Sequence, residues 1–150
     1  MERITSFSVN HDTLEPGIYI SRVDGDITTY DLRFIKPNTP PYLDIDAMHT
    51  IEHLFATYAR NGSLKDNVIY FGPMGCRTGC YLVMFGDLKS EDVYDLVIQM
   101  CDFVINFEGE IPGASPVECG NYSEQNLNMA KYYIQKYKKA LTENKNFTYK

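Results

Sequence analysis

The chain has 150 residues, 44% hydrophobic and 13% aromatic, enough to bury one core in one domain over 1–150 and too few for two full domains. A formal net charge of -6 and a pI near 5.0 leave no basic surplus to neutralise phosphates, which argues against nucleic acid or an anionic membrane as partner and favours a small-molecule substrate. The N-terminal MERITSFSVNHDT has no apolar core behind a positive end, and no apolar run of about 18 residues occurs, so a cytoplasmic chain with Cys76, Cys80, Cys101 and Cys119 reduced is expected.

GIYISRV and DITTYDLRF flank Asp24-Gly25, a dipeptide that supplies the positive φ of a tight turn, so an antiparallel hairpin is expected. On its second strand Thr28, Tyr30, Leu32 and Phe34 alternate with Thr29, Asp31 and Arg33, which makes the Asp31–Arg33 face a candidate site wall. KPNTPPYLD at 36–44 reads as a loop. A helix is expected from Asp44 or Asp46, either able to cap it, to the stop Asn61-Gly62, with Met48, Ile51, Phe55 and Tyr58 on one apolar stripe. His49, Glu52 and His53 border that stripe.

NVIYF and CYLVMFG read as two further strands around GPMGCRTG, where Gly72, Gly75 and Gly79 permit a tight backbone path near a ligand. Ser90, with Glu91 and Asp92 behind it, opens a helix whose Val93, Leu96, Val97, Met100, Cys101 and Val104 form an apolar seam. A last helix is expected from near Ser123, with Leu127, Ala130, Ile134, Tyr137 and Leu141 on one stripe and the lysines of KYKKA near its negative pole. The mixed order favours an α+β fold, antiparallel sheet packed against helices in a two-layer sandwich, over a doubly wound parallel sheet.

The chemistry concentrates at HTIEH. Histidines at i and i+4 have Cβ atoms about 5–6 Å apart on one helix face, so His49 and His53 can reach one divalent ion. Glu52 beside them is placed to take a proton from whatever the ion acidifies. The blander reading is two half-exposed histidines and a solvated carboxylate. A catalytic site needs a third protein ligand, for which His11, Cys76, Cys80 and Cys119 stay open, whereas Cys101 sits at apolar spacing in a helix seam.

Ser6, Phe7 and His11, then DLRF at 31–34, HTIEH at 49–53, PMGCRTG at 73–79 and ECG at 118–120 together resemble the S-ribosylhomocysteine lyase (LuxS) family over nearly the whole chain. The resemblance implies a homodimeric, metal-dependent carbon–sulfur lyase of the activated methyl cycle. Its substrate is S-ribosylhomocysteine, cleaved to homocysteine and 4,5-dihydroxy-2,3-pentanedione, the autoinducer-2 precursor of quorum sensing. It further implies that His49, His53 and Cys119 ligate Fe²⁺, or Zn²⁺ or Co²⁺ in its place, and that Glu52 and Cys76 exchange protons with substrate. Ser6, His11 and Arg33 would line the substrate pocket, with Arg60 reaching substrate held by the partner subunit. The chain departs from the family's pattern at Tyr70, where some members carry an acid, at Thr29, where some carry lysine, and at Cys80, in place of an aromatic residue. Cys80 is expected to be structural. Two rival readings are an HxxEH metallopeptidase, with Glu108, Glu110 or Glu118 as third ligand, and a small module with a structural metal site.

Overall fold

A computed structural model describes residues 1–150. Strands Gly17–Asp24 (β1) and Ile27–Arg33 (β2) are followed by helix Ile45–Ala59 (α1), strands Val68–Pro73 (β3) and Gly79–Phe85 (β4), and helices Ser90–Ile105 (α2) and Leu127–Glu143 (α3). The strands form one sheet in the order β1-β2-β4-β3, every pair antiparallel, as the α+β reading expects. Apolar side chains from the sheet and all three helices share one core, with Leu32, Leu82, Ile51, Phe55, Val97 and Ile134 among its fully buried members. No helix is long and apolar enough to cross a membrane.

The hairpin turn falls one residue later than expected. Asp24 stays paired with Ile27, so the two loop residues are Gly25 and Asp26, and only Gly25 takes a positive φ, 63°. Glycine suits that position because it has no Cβ to clash.

Helix α1 starts after Asp44, but the Asp44 carboxylate does not cap it; it accepts the Tyr133 hydroxyl at 3.2 Å. Asp46 instead accepts the Ala47 N–H at 2.7 Å. The fully buried stripe is Ala47, Thr50, Ile51, Leu54, Phe55 and Ala59, with the expected Met48 and Tyr58 at its margin. On α2 the six seam residues are all buried, since it packs against both α1 and α3.

Helix α3 begins at Leu127 rather than near Ser123, because Asn126 caps it by accepting the Met129 N–H at 3.1 Å. It runs on to Glu143, so the KYKKA lysines lie short of the last turn and do not face the helix pole. Lys138 pairs with Asp102 of α2 instead. Tyr133 joins the expected stripe, and the buried Tyr137 hydroxyl donates to the Gly17 carbonyl at 3.0 Å, tying α3 to β1.

On β2 the alternation holds, yet both faces are buried at its end: Asp31 is 1% and Arg33 3% exposed. The C-terminal segment covers the polar face. Phe147 accepts the Ile20 N–H at 2.8 Å, and the Tyr149 ring stacks on Tyr19 at 5.0 Å.

Candidate active site

Successive turns of α1 present His49 and His53 side by side, with their Nε2 atoms 3.0 Å apart. The Cys119 Sγ reaches them from the loop before α3, 3.5 Å from His49 Nε2 and 3.8 Å from His53 Nε2. Tetrahedral ligation at ordinary metal–nitrogen and metal–sulfur lengths spaces such donors by about 3.3 Å (N···N) and 3.6 Å (N···S), close to what is found.

Both Nδ1 atoms are already engaged. His49 donates to the Glu124 carbonyl and His53 to the Pro112 carbonyl, each at 2.7 Å. A carbonyl can only accept, so each neutral ring keeps its proton on Nδ1 and turns the Nε2 lone pair toward the cluster. Two lone pairs at 3.0 Å beside a sulfur repel one another, and a cation between them relieves that repulsion. The donor set therefore fits one metal ion, and it contains no carboxylate. Glu118 accepts the Ser115 hydroxyl at 2.6 Å instead, so the peptidase ligand set is not assembled there. Gly113 lets the Pro112 carbonyl approach: its φ is 73°, and a Cβ there would sit 3.3 Å from His53 Nδ1.

The second part of the site is a cavity of ≈ 330 Å³ lined by Ser6, His11, Arg33 and Cys76, with Phe7 and Tyr81 beside them. Cys76 sits exposed on the tight loop after β3, which closes through Met74 N–H to Gly79 carbonyl, 2.9 Å, and Arg77 N–H to Met74 carbonyl, 3.0 Å. Gly79 is required because a Cβ would fall 2.2 Å from the Leu32 carbonyl oxygen of β2.

Behind Cys76, the Arg33 guanidinium grips the Asp31 carboxylate at 3.1 and 2.7 Å. It also donates to Thr78 Oγ1 at 2.7 Å and lies 3.9 Å from Cys76 Sγ. Thr78 Oγ1 is 3.1 Å from that sulfur. Burial works against the Arg33 charge, but the Asp31 carboxylate and the Cys76 sulfur hold the guanidinium's proton affinity above its ordinary value. A fixed cation and a hydroxyl thus both lie against the Cys76 sulfur. Asp31 serves as the support of this wall and Arg33 as its face.

Glu52 is half-buried on α1 between the two histidines. The Cys80 thiol is pushed well above the ordinary value by complete burial first, then by the charges of Glu52 and Cys76. Glu52 and Cys76 therefore both lie within electrostatic reach of this one buried sulfur. As expected, Cys80 is structural, as is the buried Cys101. Arg60 is not among the cavity residues; exposed at the end of α1, it donates to the Ile69 carbonyl at 3.1 Å. Thr50, Thr78, Gln125 and Tyr149 were not anticipated. The threonines lie inside HTIEH and PMGCRTG, where their position was a usable signal; Gln125 and Tyr149 have none.

A family model described as S-Ribosylhomocysteinase (LuxS) matches residues 4–148. The chain is 55% identical to the S-ribosylhomocysteine lyase of Finegoldia magna over 141 residues, covering 91% of this chain and 90% of that one. It is 50% identical to the S-ribosylhomocysteine lyase of Clostridium acetobutylicum over 149 residues, covering 96% and 94%. With that of Borreliella burgdorferi the identity is 50% over 146 residues, covering 94% and 93%. Likeness at this level along nearly the full length of each relative, with the donor cluster and the cysteine loop in place, means that the chain belongs to the S-ribosylhomocysteinase (LuxS) family.

Proposed function

We propose that this chain is a metal-dependent lyase that cleaves S-ribosylhomocysteine to homocysteine and 4,5-dihydroxy-2,3-pentanedione by carbonyl migration and β-elimination. The observation that carries the reading is the His49, His53 and Cys119 donor cluster, the three protein donors that a catalytic metal ion would take. A divalent ion held there, which we read as Fe²⁺ with Zn²⁺ or Co²⁺ able to substitute, would supply Lewis-acid stabilisation of the negative charge that develops on a sugar oxygen.

The chain's own residues then have to move protons. Shifting a carbonyl from C1 to C2 to C3 removes a proton alpha to it at each stage and returns one to the neighbouring carbon. Glu52 and Cys76 are the two carriers in this reading. Arg33 and Thr78 contact the Cys76 sulfur and hold it at the cavity wall, and Ser6 and His11 orient the sugar in the cavity. With the carbonyl at C3, loss of the C4 proton expels the C5 thiolate, which takes up a proton to become homocysteine, and the C4–C5 enol left behind tautomerises to the dione. The organic chemistry needs no further cofactor.

The reading includes one lyase domain over 1–150 folded as a two-layer sandwich, a homodimer, and a cytoplasmic setting. The single shared core supports the first of these. Arg60's position outside the cavity suits a role toward substrate bound by the partner subunit.

Thiol release from S-ribosylhomocysteine by the metal-loaded protein tests the proposal, and failure with metal intact overturns it. Glu52→Gln and Cys76→Ala should each fold and bind metal yet lose at least about 10²-fold in rate. Substantial turnover by either variant removes the role assigned to that residue.

A further inference from the structure

We propose that Thr50 is a positioning residue for the metal centre, its hydroxyl locking the Glu124–Asn126 segment onto α1 so that the Glu124 carbonyl holds His49 in one tautomer and one orientation. The inference rests on reading the His49, His53 and Cys119 cluster as a metal site.

Thr50 is fully buried on the core face of α1, where a hydroxyl in a helix interior ordinarily turns back to a carbonyl one turn earlier. Here it points away from its own helix. It donates to Gln125 Oε1 at 2.7 Å and accepts the Asn126 N–H at 2.9 Å. Both bonds fall just after the residue that matters: Glu124, immediately before Gln125, accepts from His49 Nδ1 at 2.7 Å. Gln125 places its amide nitrogen 3.3 Å from the same ring nitrogen.

Asn126 fastens the far side of the segment. Its amide donates to Asp46 Oδ2 at 3.3 Å, while its own oxygen caps α3. The segment is therefore clamped to the first half of α1 at Asp46 and Thr50, one helical turn apart, with His49 between them in sequence. His53 has no such clamp and relies on the Pro112 carbonyl from a different loop. Loss of the Thr50 hydroxyl frees the Glu124 carbonyl, and His49 can then rotate or exchange its tautomer. Removing the group that orients a metal-bound imidazole lowers metal affinity by about 10–100-fold.

The test is Zn²⁺ affinity of the full-length protein, measured by competition with a chelator, together with the absorption spectrum of the Co²⁺-loaded form, both without substrate. Thr50→Val, which keeps shape and loses the hydroxyl, should weaken Zn²⁺ binding by about 10–100-fold and shift the Co²⁺ bands. Thr50→Ser should restore both. If the valine variant does not fold, Gln125→Met, which removes the acceptor and leaves Thr50 and the Asn126 N–H paired, should weaken binding in the same direction. A folded Thr50→Val with wild-type affinity and spectrum overturns the proposal. So does unchanged affinity in Gln125→Met when the valine variant is unfolded. Failure of the lyase reading looks different: wild-type protein then binds metal, responds to these substitutions, and releases no thiol.

Discussion

Arg33→Met separates what the buried ion pair does for the fold from what it does for the cavity. Asp31 and Arg33 are 1% and 3% exposed, and Arg33 binds Asp31 through two hydrogen bonds of 3.1 and 2.7 Å. Methionine fills much of the same volume, so the expected cost comes from leaving a buried carboxylate without its cation rather than from a void. That cost is about 3–5 kcal/mol, equivalent in a chain of this size to a fall of about 6–20 °C in Tm. The Tyr149 hydroxyl still donates to Asp31 Oδ2 at 2.7 Å, which favours the lower end. Adding Asp31→Asn removes the stranded charge, keeps an acceptor for Tyr149, and should recover most of the loss. Denaturant titration of the metal-loaded protein at fixed concentration measures both variants. Thiol release should stay low in the double variant, because the cation 3.9 Å from Cys76 is still missing. A single variant within about 1 kcal/mol of wild type, below the range for a broken buried pair, refutes the reasoning; so does a double variant no more stable than the single one.

Cys119→Ala should abolish tight metal binding while Glu118→Ala retains it, checked by metal content after dialysis; the reverse outcome would move the third ligand to the carboxylate. Iodoacetamide at mildly alkaline pH should label Cys76, which is exposed, and spare Cys80 and Cys101, whose thiols burial raises far above the ordinary range; peptide mass analysis of modified Cys80 in folded protein would contradict this. Tyr149→Phe keeps the stack on Tyr19 and removes a hydrogen bond to a buried carboxylate, so denaturation should show a loss of about 1.5–3 kcal/mol. Burial first and the Asp31 charge second raise the Tyr149 pKa, so the folded chain keeps this proton where the unfolded chain has lost it. The contribution is complete below pH about 10 and is lost as pH rises beyond it; Tyr149→Phe should flatten that alkaline decline, and an unchanged alkaline slope would mean the tail is not latched.

Features carried by neighbours two to four residues apart were readable directly. The i, i+4 pair His49 and His53, the six-residue seam of α2 and the glycine-bounded loop around Cys76 all follow from the geometry of one helix turn, one strand pleat or one tight loop. The resemblance to the family added Cys119, which spacing alone left among several candidates. Local reading erred at two helix starts: Asp44 gives its carboxylate to Tyr133 instead of its own helix, and α3 starts late at the cap Asn126, whose amide also bonds Asp46 of α1.

What the sequence determined by itself is therefore the set of elements and the presence of two candidate ligands with an acid between them, since helix and strand periods are properties of consecutive residues. Only the tertiary structure decided how those groups are held. Thr50 meets Gln125 across 75 residues, and Tyr149 meets Asp31 across 118. No period or spacing encodes such pairs. They exist because packing three helices and a sheet around one core leaves polar groups inside, and each buried polar group must find its partner wherever the chain happens to pass.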